Sequence, residues 1–525
     1  MTIYRFLSAL LLLTTALAFG CRGAVLPETA DEAGTVPAIW PDYADVTIPV
    51  NLAPTNFLIK QEGEAFVTQI RGANQFSAVV AGKTVRMKEA FWKKLLAENA
   101  GGEITFTVYV KNDGRWTVFE PFSCRVCADR IDPFVAYRLI EPGYEFYRRI
   151  TLNTRSLESF DEQIFVDNDV TNKKTCVNCH SFQNRETDHF LFHARRAFGG
   201  TILVQDGKPT KLGTKSPSLN LPAVYPSWHP TLPLIAFSSN RTKQLFHSID
   251  PDRIDVLDLY SDLTLYDVAA NRFTPFPETR TVYETFPSWS PDGKTLFYCA
   301  ADLVLGEPAD SMPLEEMYES GAHGKVYNQF RYNIMKMSFD PQTRKFGKAE
   351  TVVDAAAENH TALHPRLSID GRYLVYTKAD FGTFPIWHRE SDLWLLDMET
   401  GAERAIDEIN SPDVESWHTW SSTGRWMVFS SRRDDGAYTR LYFAHFDENG
   451  RFAKPFLLPQ KNPEENITRM KSYNVPEFIT EAIPVSAGTL GTVIRYADEV
   501  PASFDSTITP GAETANEPDA DALNQ

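Results

Sequence analysis

Apolar and polar residues alternate in short runs along most of this chain. Between 46 and 165 the clearest run is Ile104-Thr105-Phe106-Thr107-Val108-Tyr109-Val110. Phe57-Leu58-Ile59, Ala65-Phe66-Val67, Phe76-Ser77-Ala78-Val79-Val80 and Trp116-Thr117-Val118-Phe119 follow the same rule. A period of two buries one face of a strand, so short runs between Gly and Asn turns predict an antiparallel, β-sandwich-like domain. One segment departs from it: within 88–99, Phe91, Trp92, Leu95 and Leu96 recur at helical spacing. From 131 to 160 the alternation gives way to an irregular aromatic stretch with Tyr137, Tyr144, Phe146, Tyr147 and Phe160. With turn signals at Asp132-Pro133 and Pro142-Gly143, it reads as a connector that completes a domain over 46–165.

Beyond 166 the chain repeats itself. Tyr225-Pro226-Ser227-Trp228-His229-Pro230, Phe286-Pro287-Ser288-Trp289-Ser290-Pro291-Asp292-Gly293, His364-Pro365-Arg366-Leu367-Ser368-Ile369-Asp370-Gly371 and Trp417-His418-Thr419-Trp420-Ser421-Ser422-Thr423-Gly424 align, and each leads into an apolar strand. A degenerate fifth copy starts at Phe190-Leu191-Phe192-His193, and a sixth assembles from the segment before Cys176 together with Ser472–Ile479. One small sheet cannot bury both of its faces alone, whereas sheets stacked in a ring bury them on each other. The pattern therefore predicts a five- or six-bladed β-propeller over 166–480. Asp292-Gly293 and Asp370-Gly371 supply the positive φ of a tight turn. His229, His364 and His418 fall in the same motif; they read as structural turn histidines or, with Trp228, Trp289 and Trp420, as the lining of a central pocket. The acidic insertion Ala301 to Phe330 interrupts the rhythm and is long enough to cap the ring.

Candidate chemistry concentrates in Cys176-Val177-Asn178-Cys179-His180. C-x-x-C-H is the attachment sequence of a c-type haem: each thiol adds to one vinyl group and the histidine ligates the iron. On that reading Cys176 and Cys179 are thioether anchors and His180 is the proximal ligand of one covalent haem c. His193, shielded in an apolar strand, is the preferred distal ligand. His189, a methionine, a more distant histidine or an open position are the alternatives. Arg195 and Arg196 are candidate partners of the haem propionates, because guanidinium matches carboxylate at two points. The competing reading of the motif is a CxxC disulfide or half a zinc site. Cys124 and Cys127 form a second CxxC without the histidine, expected as a local disulfide or two unpaired thiols, and Cys299 is expected as a buried thiol.

The termini frame the protein. Met1 to Arg5 carries one positive charge, and Phe6 to Phe19 is apolar apart from Ser8, Thr14 and Thr15. This is the layout of a secretory signal over 1–20. Cys21 directly after Ala18-Phe19-Gly20 resembles a lipobox cysteine and is the expected lipidation site. Residues 21–45 read as a flexible tether and 481–525 as a disordered acidic tail, with neither Lys nor Arg from Asp498 on. A formal net charge of −17 argues against nucleic acid as a partner. After the signal no apolar run reaches a membrane-spanning length, which leaves the N-terminal lipid as the expected membrane contact.

The repeats over about 185–460 resemble the TolB-type, WD40-like propeller repeat of bacterial envelope proteins, best at 286–298. The wider arrangement is similar to a family of exported Bacteroidetes-type proteins described as TolB-like or cytochrome-c-related. The matching stretches are Asn51-Leu52-Ala53-Pro54, Ile131-Asp132-Pro133 with Tyr137-Arg138-Leu139-Ile140, Pro142-Gly143-Tyr144-Glu145, and Cys176 to Phe182 followed by Phe192-His193 and Gly199-Gly200-Thr201. The resemblance implies the fold and an envelope location and no defined activity. The expected place is the periplasmic side of a membrane, the outer ahead of the inner. The expected function is haem-based electron transfer or redox sensing with an envelope redox or scaffold partner. The alternative is a non-catalytic propeller that binds an envelope protein or a glycan. No G-x-S-x-G, H-E-x-x-H or P-loop points to an attached hydrolase, and a haem with an open distal side is the one enzymatic option, a peroxidase.

Overall fold

The computed structural model describes residues 24–73, 76–141, 149–214, 223–248, 254–276, 282–302 and 326–504. The signal 1–20, Cys21, residues 303–325 of the acidic insertion and the tail beyond Phe504 lie outside them. The chain divides into a smaller unit (Met1–Val46, Pro54–Ala128 and Pro459–Glu464) and a larger one (Thr47–Ala53, Asp129–Leu458 and Glu465–Gln525).

The smaller unit is sandwich-like. In its central strand, Glu103–Asn112, Ile104, Phe106, Val108 and Val110 are buried, as the alternation requires. Ala65–Arg71 and Ser77–Ala81 extend this sheet on one side, and Arg115–Val118 and Phe122–Cys127 pair with the central strand too. Phe57, from a second sheet of Ile39–Trp40, Phe57–Ile59 and Thr84–Val85, meets Phe106 and Phe122 edge-on at 5.7 and 5.6 Å. The helix Glu89–Glu98 buries Trp92, Leu95 and Leu96. The expected tether belongs to this unit from residue 24: Asp31–Glu32 pairs with Arg115–Val118, and Ile39–Trp40 with Phe57–Ile59. Tyr43 and Val46 are buried, so the apolar residues near its end outweigh its Ala, Pro and Glu composition. Cys124 and Cys127 are not joined, because three residues along a strand put them on opposite faces; Cys124 is buried, its thiol pushed up to about 12 by burial.

The larger unit is a β-propeller, and the described residues contain six sheets of it. Their inner strands are Thr175–Phe182, Ala223–Trp228, Val282–Trp289, Thr361–Leu367, Glu415–Trp420 and Ser472–Ile479, and each touches the next around a closed cycle. The cycle is closed by a sheet drawn from both ends of the unit. Ser472–Ile479 pairs with Phe134–Ile140, which continues to Thr151–Ser156 and Glu162–Asp167. The expected connector is therefore three strands, and the boundary lies near 128 rather than 165. Of its turn signals, Asp132-Pro133 precedes a strand whose Val135, Ala136, Tyr137 and Leu139 are buried, and Pro142-Gly143 lies outside the described residues.

All six inner strands carry the same defect. Their pairing slips by one residue, and the residue at the slip has positive φ: Cys179 (54°), Tyr225 (48°), Phe286 (49°), His364 (54°), Trp417 (50°) and Val475 (49°). These are β-bulges. A side chain in this conformation costs about 1–2 kcal/mol, so six repeats of it reflect a requirement of the ring. The following residue is Pro226, Pro287, Pro365 or Pro476 in four strands and His180 or His418 in two. A bulge leaves an N–H outside the ladder, which is why proline is tolerated there. Two of the repeat tryptophans bridge sheets, while Trp289 packs against His229 and Phe339. Trp228 Nε1 donates to the Ser181 carbonyl at 3.2 Å and Trp420 Nε1 to that of Arg366 at 3.1 Å, each on the preceding inner strand.

The segment expected as a disordered tail is ordered through Phe504. Ser486 caps the helix Ala487–Tyr496, accepting from the Thr489 N–H at 3.1 Å. Leu490 and Ile494 are fully buried with Val177, Phe190, Leu152 and Ile479. Val500–Pro501 and Ser503–Phe504 then add short parallel strands to the outer edges of two sheets. Leu490→Ala is expected to lower the unit's stability by about 2–5 kcal/mol in denaturant unfolding; a tail that contributed nothing would leave the midpoint unchanged.

Candidate functional site

The bulge residues converge on the axis of the ring. The Tyr225 and Phe286 rings lie 4.5 Å apart, Phe286 and His364 4.5 Å, and His364 and Trp417 4.1 Å. Phe384, from the loop after Tyr373–Ala379, adds a ring 6.2 Å from Tyr225 and 6.3 Å from Phe286. His364 and His418 thus stand on inner strands, and of the three expected turn histidines only His229 lies in a turn. There Nδ1 accepts from the N–H groups of Thr231 (3.2 Å) and Leu232 (3.0 Å), and Nε2 donates to the Gly293 carbonyl at 3.0 Å.

Cys176-Val177-Asn178-Cys179-His180 is one of these inner strands, with Cys179 as its bulge residue. In a regular strand two residues three apart face opposite ways. The bulge restores them to one side. Cys176 stands opposite Arg195 in the neighbouring strand Phe190–Arg196, and the same arginine's Nη2 lies 3.9 Å from Cys179 Sγ. Asn178 Nδ2 approaches Cys176 Sγ at 3.4 Å. Burial raises the pKa of the Cys176 thiol, while Arg195 and Arg138 oppose the rise. Both thiols are unpaired and half-buried.

His180 is only 2% exposed, and neither ring nitrogen has a hydrogen-bond partner; the Val475 main chain beside it falls outside hydrogen-bond geometry. Burial, with the Arg138 charge adding to it, lowers its pKa to about 3, so the imidazole is neutral and able to ligate. His418 holds the same repeat position and provides an internal comparison. Its Nε2 donates to the Val375 carbonyl at 2.9 Å.

The other expected residues separate. His193 Nδ1 meets Thr201 Oγ1 at 2.9 Å, and its ring packs 6.2 Å from Phe237. His180 packs 6.0 Å from Phe182, within the core shared with Leu152 and Ile479. The two histidines therefore face opposite sides of one sheet, and the structure does not bring His193 to the iron position that His180 would define. His189 lies in the turn before Phe190, its Nδ1 3.0 Å from Asp188. Arg196 stands opposite Thr175, one register position from Arg195 and so on the other face. Arg138 and Tyr225, which the sequence did not single out, join the site instead. Arg138 and Arg195 interact electrostatically with both thiols, with each other and with Tyr225.

The donor set matches a c-type haem in kind. It offers two unpaired thiols turned to one side, a neutral imidazole with orphaned nitrogens, and arginines suited to propionates. It gives no second histidine on the His180 side from the residues the sequence proposed.

Two long strands after Trp228, Leu234–Phe246 and Ile254–Asp267, extend their hairpin beyond the sheet. Asp258 there accepts from Asn240 Nδ2 (2.9 Å), Tyr332 Oη (2.8 Å) and Thr383 Oγ1 (3.2 Å). Burial lifts its pKa to about 6. Closer to the hairpin tip, Asp255 lies 3.0 Å from His388 Nε2 and also holds His247, while Glu390 lies 3.1 Å from His388 Nδ1. The hairpin is thus clasped to the loop that carries Phe384 over the axis.

No protein-family profile and no curated protein matches the chain. Among solved structures it is similar to a prolyl endopeptidase, with 12% identity and a TM-score of 0.33, covering 62% of this chain and 42% of that one. Prolyl oligopeptidase B from Galerina marginata gives 9% identity and 0.34, covering 78% and 54%. A DUF4784 family protein from Bacteroides caccae gives 9% identity and 0.25, covering 83% and 98%. The chain spans under half the length of the first of these, and at such scores the likenesses carry no functional argument.

The clasp predicts a pH dependence. Despite burial, Asp255 and Glu390 raise His388 from 6.5 to about 9. A raised folded-state value stabilises fully below the unfolded pKa and is lost as pH climbs through the folded one. His388 should therefore contribute on the order of 3 kcal/mol at pH 6 and little by pH 10. The difference in melting temperature between wild type and His388→Gln is expected to narrow across that window; a constant difference would contradict the charged clasp.

Proposed function

We propose that this chain is an exported propeller protein of TolB type that carries one covalent c-type haem and serves electron transfer or redox sensing in the cell envelope. The observation that carries the reading is the contrast between His180 and His418. Both follow a bulge residue on an inner strand, yet His418 Nε2 is hydrogen-bonded to a carbonyl and neither nitrogen of His180 is; His364, itself a bulge residue, is likewise unpartnered, so what sets His180 apart is the pair of unpaired thiols in its own strand. A buried imidazole without a partner costs about 1–3 kcal/mol, a loss that an iron–nitrogen bond would remove. Cys176 and Cys179 would hold the porphyrin and His180 would ligate its iron. When bound, the haem supplies one-electron chemistry, and the protein sets its potential through the axial ligand and burial. The signal over 1–20 and lipidation at Cys21 would place the protein on the periplasmic side of a membrane, the outer ahead of the inner, with a redox or scaffold protein as its partner.

A second reading has its own support. Cys179-His180 fills the position that Tyr225-Pro226 and Phe286-Pro287 fill elsewhere, so the ring alone explains why a residue of either kind stands there. On that reading the protein is a non-catalytic propeller that binds an envelope protein or a glycan.

Production with c-type maturation machinery separates the two. The haem reading expects the denatured protein to retain the mass of one haem and to give a c-type haemochrome spectrum. Cys176→Ser with Cys179→Ser should abolish both while the thermal melt persists. His180→Ala should keep the covalent mass and change the spectrum. Matured, folded protein without the added mass would leave the binding-module reading.

A further inference from the structure

Arg138 and Arg195 are two like charges on neighbouring sheets of the ring, close enough for Arg195 to add to burial in lowering the pKa of Arg138. Arg195 faces Cys176 and approaches Cys179 Sγ at 3.9 Å. Arg138 lies opposite Asn474, the residue before the bulge at Val475. Each acts on the other's charge, and both act on Tyr225. Two enclosed guanidinium groups repel, and each loses hydration that something must replace. Elsewhere in the unit the protein supplies the replacement. Arg432 is 3.0 Å from Asp413, Arg433 is 2.9 Å from Glu415, and Arg440 donates to the carbonyls of Asn466, Lys471 and Arg469. For Arg138 and Arg195 no carboxylate within ion-pair distance occurs among the described residues, and Arg138 Nε is buried without an acceptor. Both side chains are nevertheless only half-buried, so they line a space that solvent reaches. In a chain of net charge −17, a pair of cations open to solvent without a carboxylate partner calls for an anion.

We propose that this pair of arginines binds a carboxylate, held between Arg138 and Arg195 near Tyr225. Planar guanidinium groups meet a carboxylate at two points each, and the enclosed setting strengthens both contacts. The carboxylate has two sources: the propionates of an attached porphyrin, which rests on the haem reading, or a free carboxylate solute, which does not. Arg138 takes the part expected of Arg196.

Calorimetric titration of citrate into the full chain, made without haem maturation, is the test. Citrate should bind, Arg138→Gln and Arg195→Gln should each weaken it at least tenfold, and the exposed Arg389→Gln should leave it unchanged. Matured, haem-bearing protein then separates the sources: lost citrate binding assigns the site to propionates, and retained binding assigns it to a free solute. Should haem never attach, citrate binding still decides the matter. Folded haem-free protein that ignores citrate, together with haem-bearing Arg138→Gln and Arg195→Gln of unchanged reduction potential, would overturn the proposal and leave the haem reading standing.

Discussion

The left-handed bulge on each inner strand is the constraint from which the rest of the larger unit follows. A straight strand would alternate its side chains between the two flanking sheets and leave the axis empty. Slipping the register by one residue turns a single side chain per strand toward the axis and lets the strand continue afterwards with its apolar face still buried. Six repetitions fill the axis with Tyr225, Phe286, His364 and Trp417 rings and, in one strand, set Cys179 among them. The backbone cost is repaid by packing across the axis and by indoles that tie one inner strand to the next.

The same device explains why one strand reads as a chemical motif. C-x-x-C on an ordinary strand would split its sulfurs between opposite faces, as Cys124 and Cys127 are split. With the bulge at Cys179, both sulfurs reach Arg195, and the following residue enters the core where four sibling strands keep a proline. A proline there needs nothing from its surroundings. A histidine needs two partners, and the difference between His180 and His418 is that only one of them finds any.

Much of this was legible in the sequence. Repeats at the Trp-Ser-Pro-Asp-Gly turns marked the sheets, and strict alternation in 103–112 marked the sandwich-like unit. The closing sheet was legible in part: the sixth copy was read from the segment before Cys176 with Ser472–Ile479, as the structure has it, but the strands within 131–160 were not. Residues 131–160 lack a repeat signature because their sheet takes its inner strand from 472–479, about 330 residues later, so no local window contains the unit. The helix Ala487–Tyr496 hid in an acidic tail because only Leu490, Ile494 and their neighbours are apolar. His193 looked like a ligand because it sits in an apolar strand, yet the side of the sheet it faces depends on the register with Asn178. Arg138 had a readable signal, a single charge inside Val135-Ala136-Tyr137-Arg138-Leu139, but its meaning required Arg195 from another sheet.

Joining both ends of the unit in one sheet also orders events in time. As the chain folds from its N-terminal side, the cysteine strand can pair with nearby Phe190–Arg196, while its flank toward the closing sheet stays bare until Ser472–Ile479 docks. Until then the two sulfurs and the His180 ring border an open seam. Any enzyme that modifies them has its widest access to the incomplete ring, before the last strand seals it.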